Sequence, residues 1–504
     1  MNDDNNINYF EEGNKLYSEN KIEEAINCFE SLIFNEPDNE QGYFYLGKCY
    51  GKKNENEKAI EYFDQAIEKN KINYLIYLNK GVCLFNIKKY KEALETYNKG
   101  LFLNQEDENL YLNKGVSLNH LKKYKEAIEC FNEGIKLNPN DASLYNNKGV
   151  SYFRLKKYEE SIENYNKSIE LNNKDPLPLN NKGVSLKNLK KFKEAFLCFD
   201  NAISLNPNEP VSYFNKANTL KALGKYNEAI TLFDKAIELD PKYISAYYHK
   251  GITLNNLSKY EEAIVMFDKA IELNPKYDNA YLNKGISYDL LNKKLEALSC
   301  FDSALSINPD FAEAYLNIGI TYYNSKQYDE AILNYDKAIV KDDKLKTAYN
   351  NKGVCLFRLK QYKDAIKEYD KAINIDNKYL DAYLNKGASL KALGKINEAI
   401  KEYDYVIGIK KNYYLGYYNK GIALNCLKGK ENKKLAIEMF KSAIKYKDDY
   451  YDAYYNLGCV YMELGYYKKA IDLFENMKEG NNINEKEIND RINECKNLLE
   501  VKKK

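Results

Sequence analysis

Glycine, replaced once by alanine, recurs at a fixed step of 34 residues at Gly47, Gly81, Gly115, Gly149, Gly183, Ala217, Gly251, Gly285, Gly319, Gly353, Gly387 and Gly421. A step of that length, held this often, describes an array of supersecondary units rather than a domain with one closed core. Each unit covers its apolar face only with its neighbours, so the fold grows by stacking.

Other positions keep the same register. Twelve residues after each glycine comes a small residue, as at Ala59, Ala93, Ala127, Ser161, Ala263 and Ala297, and four later an aromatic, as at Phe63, Tyr97, Phe131, Tyr165, Phe267 and Phe301. Three residues further on stands another small residue, such as Ala270 or Ala304, and Pro37, Pro139, Pro207, Pro241, Pro275 and Pro309 close many units. Spacings of three and four, as in Ala263, Phe267 and Ala270, place these residues on one face of a helix. Proline and short polar stretches such as 274–278 supply the turns and caps, so each unit reads as two antiparallel helices. A residue without a bulky side chain is required where the two helices cross closely, because overfilling that crossing costs about 1–3 kcal/mol.

This grammar resembles the tetratricopeptide repeat family, as in Ile244–Tyr277, ISAYYHKGITLNNLSKYEEAIVMFDKAIELNPKY. The resemblance implies an all-α fold: an α-α superhelix, or solenoid, of about fourteen hairpins starting at residues 6, 40, 74, 108, 142, 176, 210, 244, 278, 312, 346, 380, 414 and 451. The array spans 6–484 after a disordered tail at 1–5. Its thirteenth unit carries three extra residues around 428–432, read as a lengthened interhelix turn. Residues 485–504 form a capping helix and basic tail, with Ile488, Ile492, Cys495 and Leu499 as its apolar stripe over the open end. Where the family usually has leucine before the glycine, this chain has Lys80, Lys114, Lys148, Lys182, Lys216, Lys250, Lys284, Lys352, Lys386 and Lys420. Their stems are expected to pack while the ammonium groups reach water.

Composition narrows the function. With 76 basic and 74 acidic residues the net charge is +2, which gives no electrostatic footprint for nucleic acid. No apolar run approaches the ~18 residues of a membrane span, and residues 1–5 lack a secretory pattern, so no membrane partner and a cytoplasmic location are expected. The ten cysteines form no CxxC pair and read as packing residues in a reducing compartment. No metal-ligand spacing or phosphate loop occurs, and His120 and His249 stand far apart. Neither an enzyme nor a cofactor or metal site is expected.

In the family the resemblance points to, the first helix of each hairpin lines the concave surface and the residue two before the glycine faces inward. That column here is Asn79, Asn113, Asn147, Asn181, Asn215, His249, Asn283, Asn317, Asn351, Asn385, Asn419 and Asn456. Beside it, Val82, Val116, Val150, Val184, Ile252, Ile286, Ile320, Val354 and Ile422 form an aliphatic strip. Carboxamides offer both donors and an acceptor to an extended peptide backbone, so a protein or peptide partner is expected. The ladder is similar to that of the superhelical arm of the O-linked N-acetylglucosamine transferase, although only about 20 residues follow the last repeat and leave no room for that enzyme's catalytic domain. Two alternatives stay open: a scaffold binding folded subunits on its outer surface, and a recognition arm for a separate transferase. The asparagines could also bond the neighbouring repeat's backbone in a structural role. Chaperone C-terminal tails are not expected as ligands, because Phe10, Tyr45, Leu75, Leu78, Leu112, Phe214 and Tyr248 occupy the sites where a carboxylate clamp needs cations, and only Asn14 matches.

Overall fold

The computed structural model describes residues 8–477 and 485–501; the tail calls at 1–5 and at Lys502, Lys503 and Lys504 lie outside them. Among the described residues there are helices and no strands. A typical repeat has a first helix of 13 residues (Asp278–Leu290), a three-residue turn and a second helix of 14 (Lys294–Ile307). Asn73, Asp107, Asp141 and Asp175 cap first helices by accepting a backbone N–H, the role short polar side chains favour. The chain divides at Leu257/Ser258 into two compact units. The first holds seven hairpins followed by the helix Ile244–Asn256. The second begins with the helix Tyr260–Leu273, continues with six hairpins and ends in the helix Glu485–Val501.

The periodic glycines sit where the second helix presses an aromatic ring against the first. A Cβ on Gly47 would lie 2.6 Å from Phe63 Cε1, one on Gly149 2.6 Å from Tyr165, and one on Gly285 2.5 Å from Phe301. Those rings are buried to 0–1% exposure. Between repeats, a second small position answers a large one. Gly100 and Gly134 accommodate Leu110 and Leu144 of the next repeat, whereas Ala236, Ala270 and Ala304 precede Ala246, Ala280 and Ala314 at the same two positions. Volume is thus exchanged across the interface at nearly constant packing density.

Two features depart from the sequence reading and a third adds to it. The lysines before the glycines do not simply reach water: Lys216, Lys250, Lys284, Lys352, Lys386 and Lys420 lie 2.5–2.9 Å from Asp200, Asp234, Asp268, Asp336, Asp370 and Asp404 on the preceding second helix, and Lys80 pairs with Asp64 likewise. Lys114, Lys148 and Lys182 find asparagine (Asn98, Asn132, Asn166) at that spacing instead. The extra residues of the thirteenth repeat do not lengthen its turn, which keeps three residues; they extend the second helix, Lys430–Tyr446, to 17. An added helical segment satisfies its own backbone, which a longer loop would leave to solvent. Lastly, a feature on which the sequence reading was silent is a set of first-helix tyrosines: the hydroxyls of Tyr43, Tyr213, Tyr247 and Tyr417 donate to the carbonyls of Pro37, Pro207, Pro241 and Lys411, pinning the preceding turn.

At the C-terminal end, Ile488, Ile492 and Cys495 are buried against Leu457, Val460, Phe474 and Met477, while Leu499 is half-buried. Tyr455 donates to Glu487 at 2.6 Å and so ties this helix down.

Several repeats bury tyrosine in place of phenylalanine and must then satisfy its hydroxyl. Tyr369 is hydrogen-bonded to Ser389 of the next repeat. Ala423 stands at the equivalent place in the repeat after Tyr403, whose hydroxyl has no hydrogen-bond partner among the described residues. Tyr403→Phe is therefore expected to stabilise the chain by about 1 kcal/mol. Chemical denaturation of both forms measures this.

Candidate functional site

All members of the asparagine column are half-buried on the first helices. The amide groups of Asn79, Asn113 and Asn147 donate to the carbonyls of Leu75, Asn109 and Ser143 one turn back, at 2.8–2.9 Å. In the second unit Asn283, Asn317, Asn419 and Asn456 donate likewise to Asn279, Glu313, Leu415 and Asp452, at 2.7–2.9 Å. An amide has two N–H donors and an oxygen with two lone pairs, so one local bond leaves most of that capacity unused. Cross-repeat contacts are the minority: Asn181 donates to Asn146 and Asn385 to Asn350, each at 3.0 Å, and Asn456 to Tyr418 at 3.3 Å. Asn351 accepts from Asn350 and is hydrogen-bonded to the buried Tyr335 hydroxyl. Asn215 contributes its carbonyl to Thr219 at 2.9 Å.

The aliphatic strip follows three residues after each asparagine, which on a helix is the same face. Val82, Val116, Val150, Val184, Ile252, Ile286, Ile320, Val354 and Ile422 are all half-buried, and Asn218 and Ala388 hold that place in the seventh and twelfth repeats.

A third column was missed by the sequence reading. Three residues beyond the strip, and therefore again on this face, stand Phe85, Asn119, Phe153, Lys187, Lys221, Tyr323, Phe357 and Lys391. Its variety hid it from a search for constant residues; the helical spacing was the available signal. In the second unit Tyr323 joins Ile320 and Asn324 of one repeat, and Asn351 and Val354 of the next, around a cavity of about 250 Å³ floored by Tyr335. At this place in the second unit, members of ladder, strip and variable column share one depression.

His249 takes the place of one asparagine. The ammonium of Lys221 donates to its Nδ1 at 2.8 Å, and the ring meets Phe214 edge-on, 5.4 Å between centroids. Burial, then the charges of Lys221 and Lys187, push His249 down to about 4, so the ring is neutral and accepts at neutral pH. Burial, then the Lys187 charge, lowers Lys221 to about 8, and burial lowers Lys187 too. Neither lysine has an ion pair among the described residues. Because Lys221 titrates lower folded than unfolded, the folded chain binds fewer protons between about pH 8 and 10.5, and stability rises with pH across that window. At neutral pH its charge opposes folding. Lys221→Met is expected to stabilise the fold by about 1 kcal/mol once partial exposure is allowed for, read as a raised thermal midpoint. Circular dichroism melting checks it.

The other histidine, His120, stacks on Tyr90 at 4.7 Å and meets Phe85 edge-on at 5.0 Å. Among the described residues no group of three His, Cys, Asp or Glu side chains could hold a metal ion, and no helix is long and apolar enough to cross a membrane.

Models of the tetratricopeptide repeat match residues 109–141, 142–175, 178–209, 210–243, 244–277, 278–311, 312–344, 345–404 and 451–478. A model of subunit 3 of the anaphase-promoting complex, or cyclosome, matches residues 18–100. No curated protein matches the sequence. Among solved structures, the chain is similar to yeast Tom70 at 21% identity, covering 86% of this chain and 94% of that one with a TM-score of 0.44. A chain of the APC/C hetero-tetramer Cut9-Hcn1 matches at 15% identity, with 89% and 95% coverage and a TM-score of 0.44. YrrB, a repeat protein with an unusual peptide-binding site, matches at 28% identity over 36% of this chain and 95% of that one, with a TM-score of 0.29.

Proposed function

The chain belongs to the tetratricopeptide repeat family and is a protein-interaction scaffold, and from that premise we propose that it is an adaptor cradling an extended polypeptide segment along the asparagine and aliphatic columns. One observation carries this reading. The side-chain amides of the half-buried Asn79, Asn113, Asn147, Asn317 and Asn419 each spend one N–H on their own helix and make no other hydrogen bond among the described residues. Such groups serve a peptide backbone without reading its side chains, and the flanking valines and isoleucines add desolvated contact. Weak contacts repeated along an array sum to useful affinity. The work is binding rather than catalysis, and the proposed location is the cytoplasm.

A second reading, a scaffold for folded subunits on the outer surface, is favoured by the match of residues 18–100 to a subunit of a large assembly. The two separate in a pull-down from native lysate comparing wild type with Asn113→Ala/Asn147→Ala/Asn317→Ala/Asn419→Ala. Partners lost only by the variant support the groove; partners retained by both support the outer surface. A recognition arm for a separate transferase would instead copurify with a catalytic subunit.

A further inference from the structure

The sixth, seventh and eighth repeats bring three basic side chains to one stretch of the first-helix face: Lys187, Lys221 and His249. Their helices, Pro176–Asn188, Pro210–Ala222 and Ile244–Asn256, contact one another in sequence within the first unit. The lysines that precede the periodic glycines set the contrast. Seven of those ten meet an aspartate, whereas Lys187 and Lys221, half-buried, have no carboxylate partner among the described residues. Lys221 spends one of its three N–H donors on the neutral His249 ring; no hydrogen bond engages the Lys187 ammonium among the described residues. Two like charges close together without a counter-ion oppose folding, so a fold that keeps them there is complemented by an anion.

We propose that Lys187 and Lys221 bind an oxyanion carried by the segment in the groove, with His249 orienting the Lys221 ammonium. This rests on the groove reading and adds a selectivity to it: where the asparagines are indifferent to side chains, these repeats select an acidic one. Two ammonium groups suit a carboxylate or a phosphate, each gaining charge-assisted hydrogen bonds. The positions differ from those of a terminal-carboxylate clamp, since both lysines stand four residues after the glycine-site residues Gly183 and Ala217. The ligand group is therefore a side chain within the segment.

The test uses the full chain and a set of glycine/serine-based peptides carrying glutamate, phosphoserine or glutamine at the centre, binding being read by fluorescence anisotropy. Wild type should prefer the glutamate or phosphoserine peptide over the glutamine peptide by about tenfold or more. Lys187→Met/Lys221→Met should bind all three alike, at the glutamine level. The glutamate and phosphoserine arms distinguish the two sources of the anion. Equal binding of all three by wild type overturns the inference and leaves the groove standing. A second readout covers the case in which the groove reading itself fails and no peptide binds. With reductively [13C]methylated protein and inorganic phosphate as the probe, saturable shifts of the Lys187 and Lys221 signals, absent in the variant, support the anion site by themselves. No saturable shift overturns it.

Discussion

Gly285→Leu is expected to destabilise the ninth repeat by roughly 3 kcal/mol or more. The first added carbon alone would stand 2.5 Å from Phe301 Cε1 and 2.7 Å from Cδ1. That ring cannot retreat, because it is fully buried in a cluster with Ala297, Ala304, Ala314 and Leu282. Since an array's stability is approximately a sum of repeat and neighbour terms, the damage should be local: a new low-temperature phase in the circular dichroism melt and fast amide exchange in repeats nine and ten. Gly408→Ala is the matched control, because a Cβ there meets nothing within 4 Å in a helix where alanine is the better former. Its melt should be unchanged or slightly raised. A wild-type-like melt for Gly285→Leu would mean that the hairpin register is wrong. Ala217, beside Phe233 in the seventh repeat, shows that a lone methyl is tolerated when the neighbours adjust, so the bulk of leucine is what makes the test decisive.

The second large effect is on binding. Four substitutions, Asn113→Ala, Asn147→Ala, Asn317→Ala and Asn419→Ala, remove amides that would each contribute ~1 kcal/mol net to a bound backbone, for a combined loss of about 100-fold or more in affinity. Stability should hold. The hydrogen bond of each of these amides runs to its own helix one turn back, and alanine exceeds asparagine in helix propensity by roughly half a kcal/mol. Affinity for a captured partner segment and the melting curve are measured on the same preparation. A large loss of stability would make the ladder structural. Asn351 and Asn385 are poor choices for the test. Asn351→Ala would strand the buried Tyr335 hydroxyl, and Asn385→Ala would break the bond to Asn350. Either would confound binding with folding.

The glycine and aromatic columns were legible because steric exclusion leaves one residue type at a site and so writes itself into the period. Gly285 and Phe301 could be paired from spacing alone. The partners of Lys284 could not. With 30% charged residues, Glu272, Asp268 and Glu296 are all plausible by spacing and sign, and only backbone geometry selects Asp268, 2.6 Å away. The asparagine column was readable as a face, but not where its amides bond, since own-helix and cross-repeat acceptors lie at similar reach. Lys187 and Lys221 escaped because their column varies from repeat to repeat. The extended second helix of repeat thirteen escaped because an insertion near a turn carries no signal for helix over loop.

The lysine–aspartate pairs also bear on how such a gene can change. The seventh, eighth, eleventh and twelfth units each carry the lysine for the predecessor and the aspartate for the successor, as Lys250 with Asp234 and Asp268 with Lys284 illustrate for the eighth. A unit of this kind is complementary to itself in tandem. Unequal crossing-over that inserts or deletes one whole copy therefore recreates every pair on both sides of the junction and leaves no orphaned charge. The ends have no such freedom: the Tyr455 and Glu487 contact that fastens the final helix is made once and has no duplicate to replace it. Copy number in the interior is open to drift, while the final helix is bound to the repeat it closes.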